Sequence, residues 1–162
     1  SDRISRHVLK HNVKDFIQYS WLDRGSDERQ YCSPGVDLPI SSITRSKYGE
    51  YPEYHTSLDN FNLVTKIGLN QSLDVYWQCV EILEQNTIKP KVNIKCEPQL
   101  GKRGLYPNLS TKESHKKVKN MMNFISYCDG ENTILDISEL CEVSFTENYN
   151  YYLLLKERKI ID

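Results

Sequence analysis

The sequence lacks any apolar run near the roughly 18–20 residues that a bilayer-spanning helix needs. No apolar stretch follows the charges at its start, so we predict neither a membrane span nor a signal peptide. The chain also does not begin with Met, and we therefore expect it to be a piece of a longer protein. Its 162 residues are 38% hydrophobic and 27% charged. That balance is typical of folded globular protein and suffices for one ordinary domain or two small ones.

Cysteine pairs at metal-binding or disulfide spacing are also missing. The five cysteines are an odd number at irregular positions, and none forms a CxxC motif. We therefore expect no disulfide framework and no zinc knuckle, and we predict a cytoplasmic location. Cys32 lies in a polar loop where it could act as a nucleophile, but no histidine is near it in sequence to serve as the paired base.

The chain has no overall excess of positive charge, since its net charge is −1. Residues 1–88 carry 9 Lys and Arg against 12 Asp and Glu, whereas residues 89–110 carry 5 against 1 and form a basic connector. Residues 111–162 carry 7 against 9. Nucleic-acid binding usually needs a basic face, so we expect no nucleic-acid partner.

The hydrophobic pattern predicts an α/β fold class, with two parts joined by the connector. Residues 1–88 contain helical patterns at 3–12 and 57–86 and strand candidates at 15–19 and 40–44, which predict a sheet-and-helix domain. We expect the two strands to lie side by side.

Residues 111–162 have a purely helical pattern. They predict three helices with a tight turn between the second and third, which is the shape of a helix-turn-helix or winged-helix domain. The residues that we expect to form its core are Met122, Ile125, Ile137, Leu140, Tyr149 and Leu153.

Two loops follow the strand candidates and carry the residues best suited to chemistry. Loops at the carboxyl ends of strands are where open α/β sheets bind ligands. His55 has Glu53 and Asp59 nearby in sequence, and imidazole is a common zinc ligand. A lone loop histidine is more often an ordinary residue, and both interpretations stay open. His7 and His11 share a helix face but lack the glutamate of an HExxH motif.

The two loops, GSDERQYCSPGVDLP and EYPEYHTSLDN, resemble the last part of the co-catalytic zinc aminopeptidases, whose fold is shared with glutaminyl cyclases. That family has a Ser-Asp-His loop followed by a His-Thr-x-x-Asp segment. Here the corresponding residues are Ser26-Asp27-Glu28 and His55-Thr56-Ser57-Leu58-Asp59. The sequence is also similar, over nearly its whole length, to a bacterial aminopeptidase-like subgroup often labelled polysaccharide-biosynthesis proteins. The strings SDERQYCSPG, YGEYPEYHTS and CEPQLGKRGLYP carry that similarity.

The resemblance implies a role for two residues. His55 matches the last zinc ligand of the family, and Asp27 matches a carboxylate that supports the metal site from behind. Glu28 replaces the histidine of the Ser-Asp-His loop. The first histidine ligand, the bridging carboxylate and the general-base glutamate of the family would lie upstream of this chain.

The resemblance therefore implies the C-terminal part of a zinc-dependent aminopeptidase-like hydrolase that acts on an amide or peptide substrate. We expect the fragment alone to bind zinc weakly and to be inactive, because a co-catalytic site needs two ions. Its expected partners are the remainder of its own polypeptide or another protein.

Several alternatives stay open. Lys102 and Arg103, each next to a glycine, could form an anion-binding pocket for substrate, or the segment could be a solvated linker. The whole chain could instead be a non-catalytic scaffold whose helical tail contacts a partner. A DNA-binding regulator is the least favoured interpretation, because the third helix carries Lys156 and Arg158 only at its far end.

Overall fold

The computed structural model describes residues 1–106 and 112–162, which divide into two compact units, residues 1–81 and 82–162. Within them the helices are α1 (Asp2–Asn12), α2 (Asp27–Tyr31), α3 (Lys66–Gln85), α4 (Lys112–Ser126), α5 (Ile134–Cys141) and α6 (Phe145–Glu157). Two short 3₁₀ helices occupy Trp21–Asp23 and Gly101–Arg103. No helix in the described part of the chain is long and apolar enough to cross a membrane.

The predicted α/β fold class is wrong, because the regular elements of the described residues are all helical. Residues 15–19 and 40–44 form no strands, and the sheet that we expected is absent from the residues that the structure describes. A strand is stable only when its backbone groups pair with a neighbour. These segments have no such neighbour in the described residues, and Ile17 is 77% exposed. The apolar residues that predicted the strands therefore lie at the surface.

The unit formed by residues 1–81, all of which are described, has almost no hydrophobic core. Val8 is its one buried large apolar side chain, while nineteen others are exposed. Hydrogen bonds between distant segments connect the unit instead. Asn12 and Gln78 exchange amide hydrogen bonds of 2.9 and 3.1 Å, and Tyr76 Oη donates to the Ile43 carbonyl at 2.7 Å.

The unit formed by residues 82–162 has a well-defined core between α4, α5 and α6. Ile125 and Ile137 are buried as predicted, whereas Leu140 and Leu153 are exposed. The buried residues of α6 are one position away from the predicted ones, and one residue turns a helix by 100°. The buried apolar residues of the three helices are Met121, Phe124, Ile125, Ile134, Leu135, Ile137, Phe145, Tyr152 and Leu155.

A short extended segment completes this second unit. Lys91 pairs with Asp129 and Val92 with Ile161, each in an antiparallel bridge. The N–H of Val92 donates to the Cys128 carbonyl at 3.0 Å, and the N–H of Asn93 donates to the Ile160 carbonyl at 2.9 Å. Residues 91–93, which fall in the predicted connector, are therefore hydrogen-bonded to the segment between α4 and α5 and to the segment that follows α6.

Side-chain caps start both α5 and α6, and a residue in the left-handed conformation ends α5 at the turn between them. The Thr133 hydroxyl accepts from the N–H of Asp136 at 3.2 Å, and the Asp136 carboxylate accepts from the N–H of Thr133 at 2.7 Å. This reciprocal capping box starts α5. Glu142 ends α5 in the left-handed conformation, with φ 54°, and the Ser144 hydroxyl then caps α6 by accepting from the N–H of Glu147. The resulting α5–turn–α6 arrangement is a helix-turn-helix.

We predict that Leu155→Ala destabilises the second unit by about 2–5 kcal/mol, because this fully buried side chain would leave a cavity. The matched control is Leu153→Ala, which removes the same atoms from a side chain that is 47% exposed. It should change stability by less than about 1 kcal/mol. Urea unfolding followed by circular dichroism measures both, and equal losses would contradict the observed register of α6.

Candidate functional site

The carboxylate of Glu28, at the start of α2, joins three segments of the first unit. Its Oε1 accepts hydrogen bonds from the backbone N–H of Gly25 at 2.9 Å and of Ser26 at 3.2 Å. The same oxygen accepts from Tyr48 Oη at 3.0 Å, and Oε2 accepts from Ser42 Oγ at 2.9 Å. One side chain therefore holds the residue 25–28 turn, Ser42 and the tyrosine-rich loop together.

These donors also set the charge of Glu28. Burial by itself would raise the pKa of this carboxyl group. The N–H groups of Gly25 and Ser26 and the Ser42 hydroxyl outweigh that effect, because they stabilise the charged form, and they lower the pKa to about 2. Glu28 therefore stays negatively charged at any physiological pH.

A series of ring contacts leads from Tyr48, which is hydrogen-bonded to Glu28, to His55. The Tyr48 ring lies 6.5 Å from the Tyr54 ring, and the Tyr51 ring meets Tyr54 edge-on at 5.6 Å. Tyr54 then stacks on the His55 imidazole, with ring centroids 3.9 Å apart and 16° between the planes. His55 itself is exposed and has a left-handed backbone, with φ 57°. The two loops singled out in the sequence therefore belong to one connected cluster, which we call the Glu28–His55 cluster.

The structure places Asp27 in a short helix and His55 in a turn, instead of at the edge of a sheet. Asp27 is exposed in the first turn of α2, and its neighbour Glu28 makes the connection toward His55. We expected Asp27 and His55 to converge at the edge of a sheet, but the described residues contain no such edge. The two loops are linked by a carboxylate and aromatic rings.

The residues of this chain do not by themselves fit a two-metal site. The described ranges, 1–106 and 112–162, contain no group of three or more His, Cys, Asp or Glu residues that could hold a metal ion. His55 offers a single imidazole, whereas a zinc ion in a protein takes at least three protein ligands. Any metal bound through His55 would need ligands from outside these residues.

Comparison with known families identifies both parts of the chain. Residues 1–86 match a family described as a domain of unknown function, DUF4910, and residues 88–162 match a winged helix-turn-helix family. The chain belongs to the DUF4910 family. The prediction of a winged-helix unit is confirmed by the second match together with the arrangement of α4, α5 and α6.

Two similar proteins come from Clostridium acetobutylicum. One, named provisionally as a polysaccharide biosynthesis protein with an aminopeptidase-like domain, is 38% identical over 138 residues, covering 85% of this chain and 32% of that protein. The other, a crystal structure described provisionally as a peptidase, has a TM-score of 0.81 at 33% identity and covers 99% of this chain and 35% of its own. This DUF4910 chain therefore spans about a third of each relative. The expected similarity to aminopeptidase-like proteins is confirmed at this level, and the zinc-dependent type stays a prediction.

Lys102 and Arg103 lie outside the DUF4910 match, in the 3₁₀ helix at Gly101–Arg103. Lys102 is exposed and Arg103 half-buried, but the preceding Leu100 is only 1% exposed. The segment is therefore anchored to the second unit, unlike a free linker. An open cavity of about 480 Å³ lies between residues 92–98 and α4, and neither Lys102 nor Arg103 lines it. Their predicted role in binding substrate is not tested by this arrangement.

Two residues that the sequence did not reveal are central to the cluster of this DUF4910 chain. Glu28 stood out only as a departure from the Ser-Asp-His pattern, and Tyr48 had no predicted role. The local signal was the spacing of Gly25 and Glu28, which suits a side chain that bonds back to its own turn. Cys32, considered as a nucleophile, donates through Sγ to the carbonyls of Leu38 at 3.1 Å and Ile40 at 3.4 Å. These contacts give it a structural role.

We predict that Ser42→Ala raises the pKa of Glu28 from about 2 toward its ordinary value, because the variant removes one donor to the charged form. A carboxyl group whose pKa is lower in the folded chain than in the unfolded chain stabilises the fold at pH values above its ordinary pKa. This contribution to the free energy of unfolding is lost as the pH falls toward 2. The variant should therefore begin to lose structure at a higher pH than the parent chain.

Carboxyl ¹³C NMR titration measures this shift. The control is Ser46→Ala, a serine in the same loop region that is exposed. An unchanged Glu28 titration in Ser42→Ala would contradict the assignment of the Ser42 hydroxyl as a donor that holds the charge.

Proposed function

We propose that this chain is the part of an aminopeptidase-like hydrolase that supplies one metal-ligating histidine, His55, and that the rest of the polypeptide supplies the other ligands. The observation that carries the proposal is the Glu28–His55 cluster, which unites the two loops that resemble the aminopeptidase motifs. The descriptions of the two relatives support the same class. Zinc is the proposed metal, since imidazole is one of its preferred ligands.

The exposure of His55 suits this role. Its imidazole lies at the surface, where other ligands can approach it, and stacking on Tyr54 restrains the ring. Asp27, exposed on α2, is the proposed carboxylate that would orient a metal ligand from behind without binding the metal itself. Lys102, exposed on its 3₁₀ helix, and Arg103 are the proposed contacts for an anionic part of the substrate.

The apolar surface of the first unit indicates what completes the site. On α3, Leu69, Leu73, Trp77 and Val80 recur at helical spacing on one face and are all exposed. Contiguous exposed apolar surface of this kind marks a protein interface. We propose one occupant for this face, namely the two thirds of an aminopeptidase-like polypeptide that the relatives possess and this chain does not span. The substrate of the completed hydrolase would be an amide or a small peptide.

A chimera tests the proposal directly. In it, this chain replaces the matching third of the Clostridium acetobutylicum relative, and hydrolysis of a panel of aminoacyl anilides and small peptides is measured with and without a chelator. We expect the chimera and the intact relative to hydrolyse a shared substrate in a chelator-sensitive reaction. His55→Ala in the chimera should reduce the rate by at least about 100-fold, because the loss of a residue that only orients a metal ligand already costs about 10–100-fold. The 162-residue chain alone should show no turnover.

The matched control is His11→Ala, which removes another exposed imidazole from the same unit. Equal activity in the His55→Ala chimera and the unmodified chimera would contradict the role assigned to His55. Robust turnover by the isolated 162-residue chain would contradict it as well. If the chimera folds but neither it nor the intact relative hydrolyses any member of the panel, the result would instead favour the non-catalytic scaffold. The extensive apolar surface also suits that alternative.

For the winged-helix unit we propose a protein-contact role. In DNA-binding proteins that contain a helix-turn-helix, the N-terminal residues of the second helix of the motif reach the bases. Here the first turn of α6 carries Glu147, which accepts hydrogen bonds from Asn120 at 3.0 Å and Tyr151 at 2.6 Å. The basic residue of the last turn, Lys156, donates to Tyr152 Oη at 2.8 Å. The exposed Leu140 and Leu153 favour contact with protein.

We predict that the chain does not bind mixed-sequence duplex DNA with sub-micromolar affinity at moderate salt, because the first turn of α6 carries a carboxylate and its basic residue lies in the last turn. Fluorescence anisotropy with labelled duplex measures this. Glu147→Gln serves as a comparison that removes the repelling charge. Tight binding that weakens steeply as salt rises would show phosphate contacts and contradict the prediction.

A further inference from the structure

The Glu28 carboxylate is a fixed point in the first unit. Its two oxygens are held by donors from the residue 25–28 turn, from Ser42 and from Tyr48, at distances of 2.9 to 3.2 Å. A charged acceptor makes stronger hydrogen bonds than a neutral one. Several donors from separate segments must therefore be lost together before this carboxylate moves.

Tyr48 carries that restraint into the loop that holds His55. Its hydroxyl donates to Glu28 at 3.0 Å and also lies 3.2 Å from the Asp23 carbonyl. The Lys47 ammonium is 4.5 Å from the centre of its ring. A Cβ on Gly25 would lie 2.6 Å from Tyr48 Cε2, so the ring packs directly on the glycine backbone. The orientation of Tyr48 is thus restrained at its hydroxyl and at its ring.

His55 needs such a restraint. Its φ of 57° is in the left-handed region, which is unfavourable for a residue with a Cβ and persists where neighbouring contacts determine it. The imidazole is exposed, and its ring contact is the stack on Tyr54 at 3.9 Å. Tyr54 in turn contacts the rings of Tyr48 and Tyr51.

We propose that Glu28 is a positioning residue for His55, acting through its hydrogen bond to Tyr48 and the ring contacts from Tyr48 to Tyr54. This function of Glu28 is separate from binding a metal or a substrate. The importance of the position rests on the proposed role of His55, but the positioning itself can be measured without any metal.

The test is ¹H–¹³C NMR of the histidine side chains in the metal-free 162-residue chain, at a pH well above the ordinary histidine pKa so that the ring stays neutral. Stacking on Tyr54 displaces the His55 ring protons upfield, and the spectrum of His55→Gln assigns them. Glu28→Gln should remove most of that displacement, because an uncharged amide oxygen accepts the Tyr48 hydrogen bond more weakly than a carboxylate and the amide NH2 group cannot accept from Ser42. Tyr48→Phe should do the same while it keeps the aromatic ring.

The control is Glu53→Gln, which removes an equal charge two residues from His55 and should leave the displacement unchanged. Circular dichroism, together with the His11 signals from α1, reports whether the unit stays folded. If Glu28→Gln unfolds the unit, the folded Tyr48→Phe variant decides. An unchanged His55 spectrum in a folded Glu28→Gln or Tyr48→Phe variant would overturn the proposal, as would an equal change in Glu53→Gln.

The activity of the chimera separates this inference from the proposed function. A displaced His55 signal in Glu28→Gln, found together with a chimera that has no hydrolase activity, would leave the positioning role intact and overturn only the proposed function. An active chimera that depends on His55, found together with unchanged spectra, would overturn only the positioning role.

Discussion

A carboxylate that is partly withdrawn from water must find hydrogen-bond donors, and Glu28 finds four of them on three segments of the first unit. Residues 1–81 bury a single large apolar side chain, Val8, so hydrophobic packing cannot determine where these loops lie. A typical hydrogen bond contributes only about 1 kcal/mol net, and bonds to charged groups about 1.5–3 kcal/mol. The charge on Glu28 is therefore what makes a few contacts sufficient to bring the residue 25–28 turn, Ser42 and Tyr48 together.

The second unit is organised by the opposite means. Phe124, Ile137 and Leu155 are fully buried, and the caps of α5 and α6 provide local partners for backbone N–H groups at the starts of these helices. Such a unit reaches its structure from its own apolar surface. The first unit presents most of its apolar surface to solvent, which is why we assign its completion to another part of an aminopeptidase-like polypeptide.

The sequence allowed some of this to be predicted, and the failures have physical causes. Helix periodicity is local, so α1, α4, α5 and α6 could be located, although the buried face of α6 was misplaced by one residue. Strands depend on a distant partner, and the apolar runs at 15–19 and 40–44 carry no information about whether that partner is present. The cluster was inaccessible for the same reason, since Tyr48 is 20 residues from Glu28 and a hydrogen bond at that separation leaves no periodic signal.

The contrast between the two units also bears on how the proposed site would work. A ligand histidine that is held in place before the metal binds favours metal binding, because ordering it on binding would cost conformational entropy. In most proteins a packed core provides that order, but here the loop of His55 has none beneath it. The stack on Tyr54, together with the charged anchor at Glu28, can order the imidazole while the surrounding apolar surface is still uncovered. An exposed, restrained histidine on an incompletely buried unit is therefore the arrangement expected of a residue that contributes to a site assembled from two parts of a longer polypeptide.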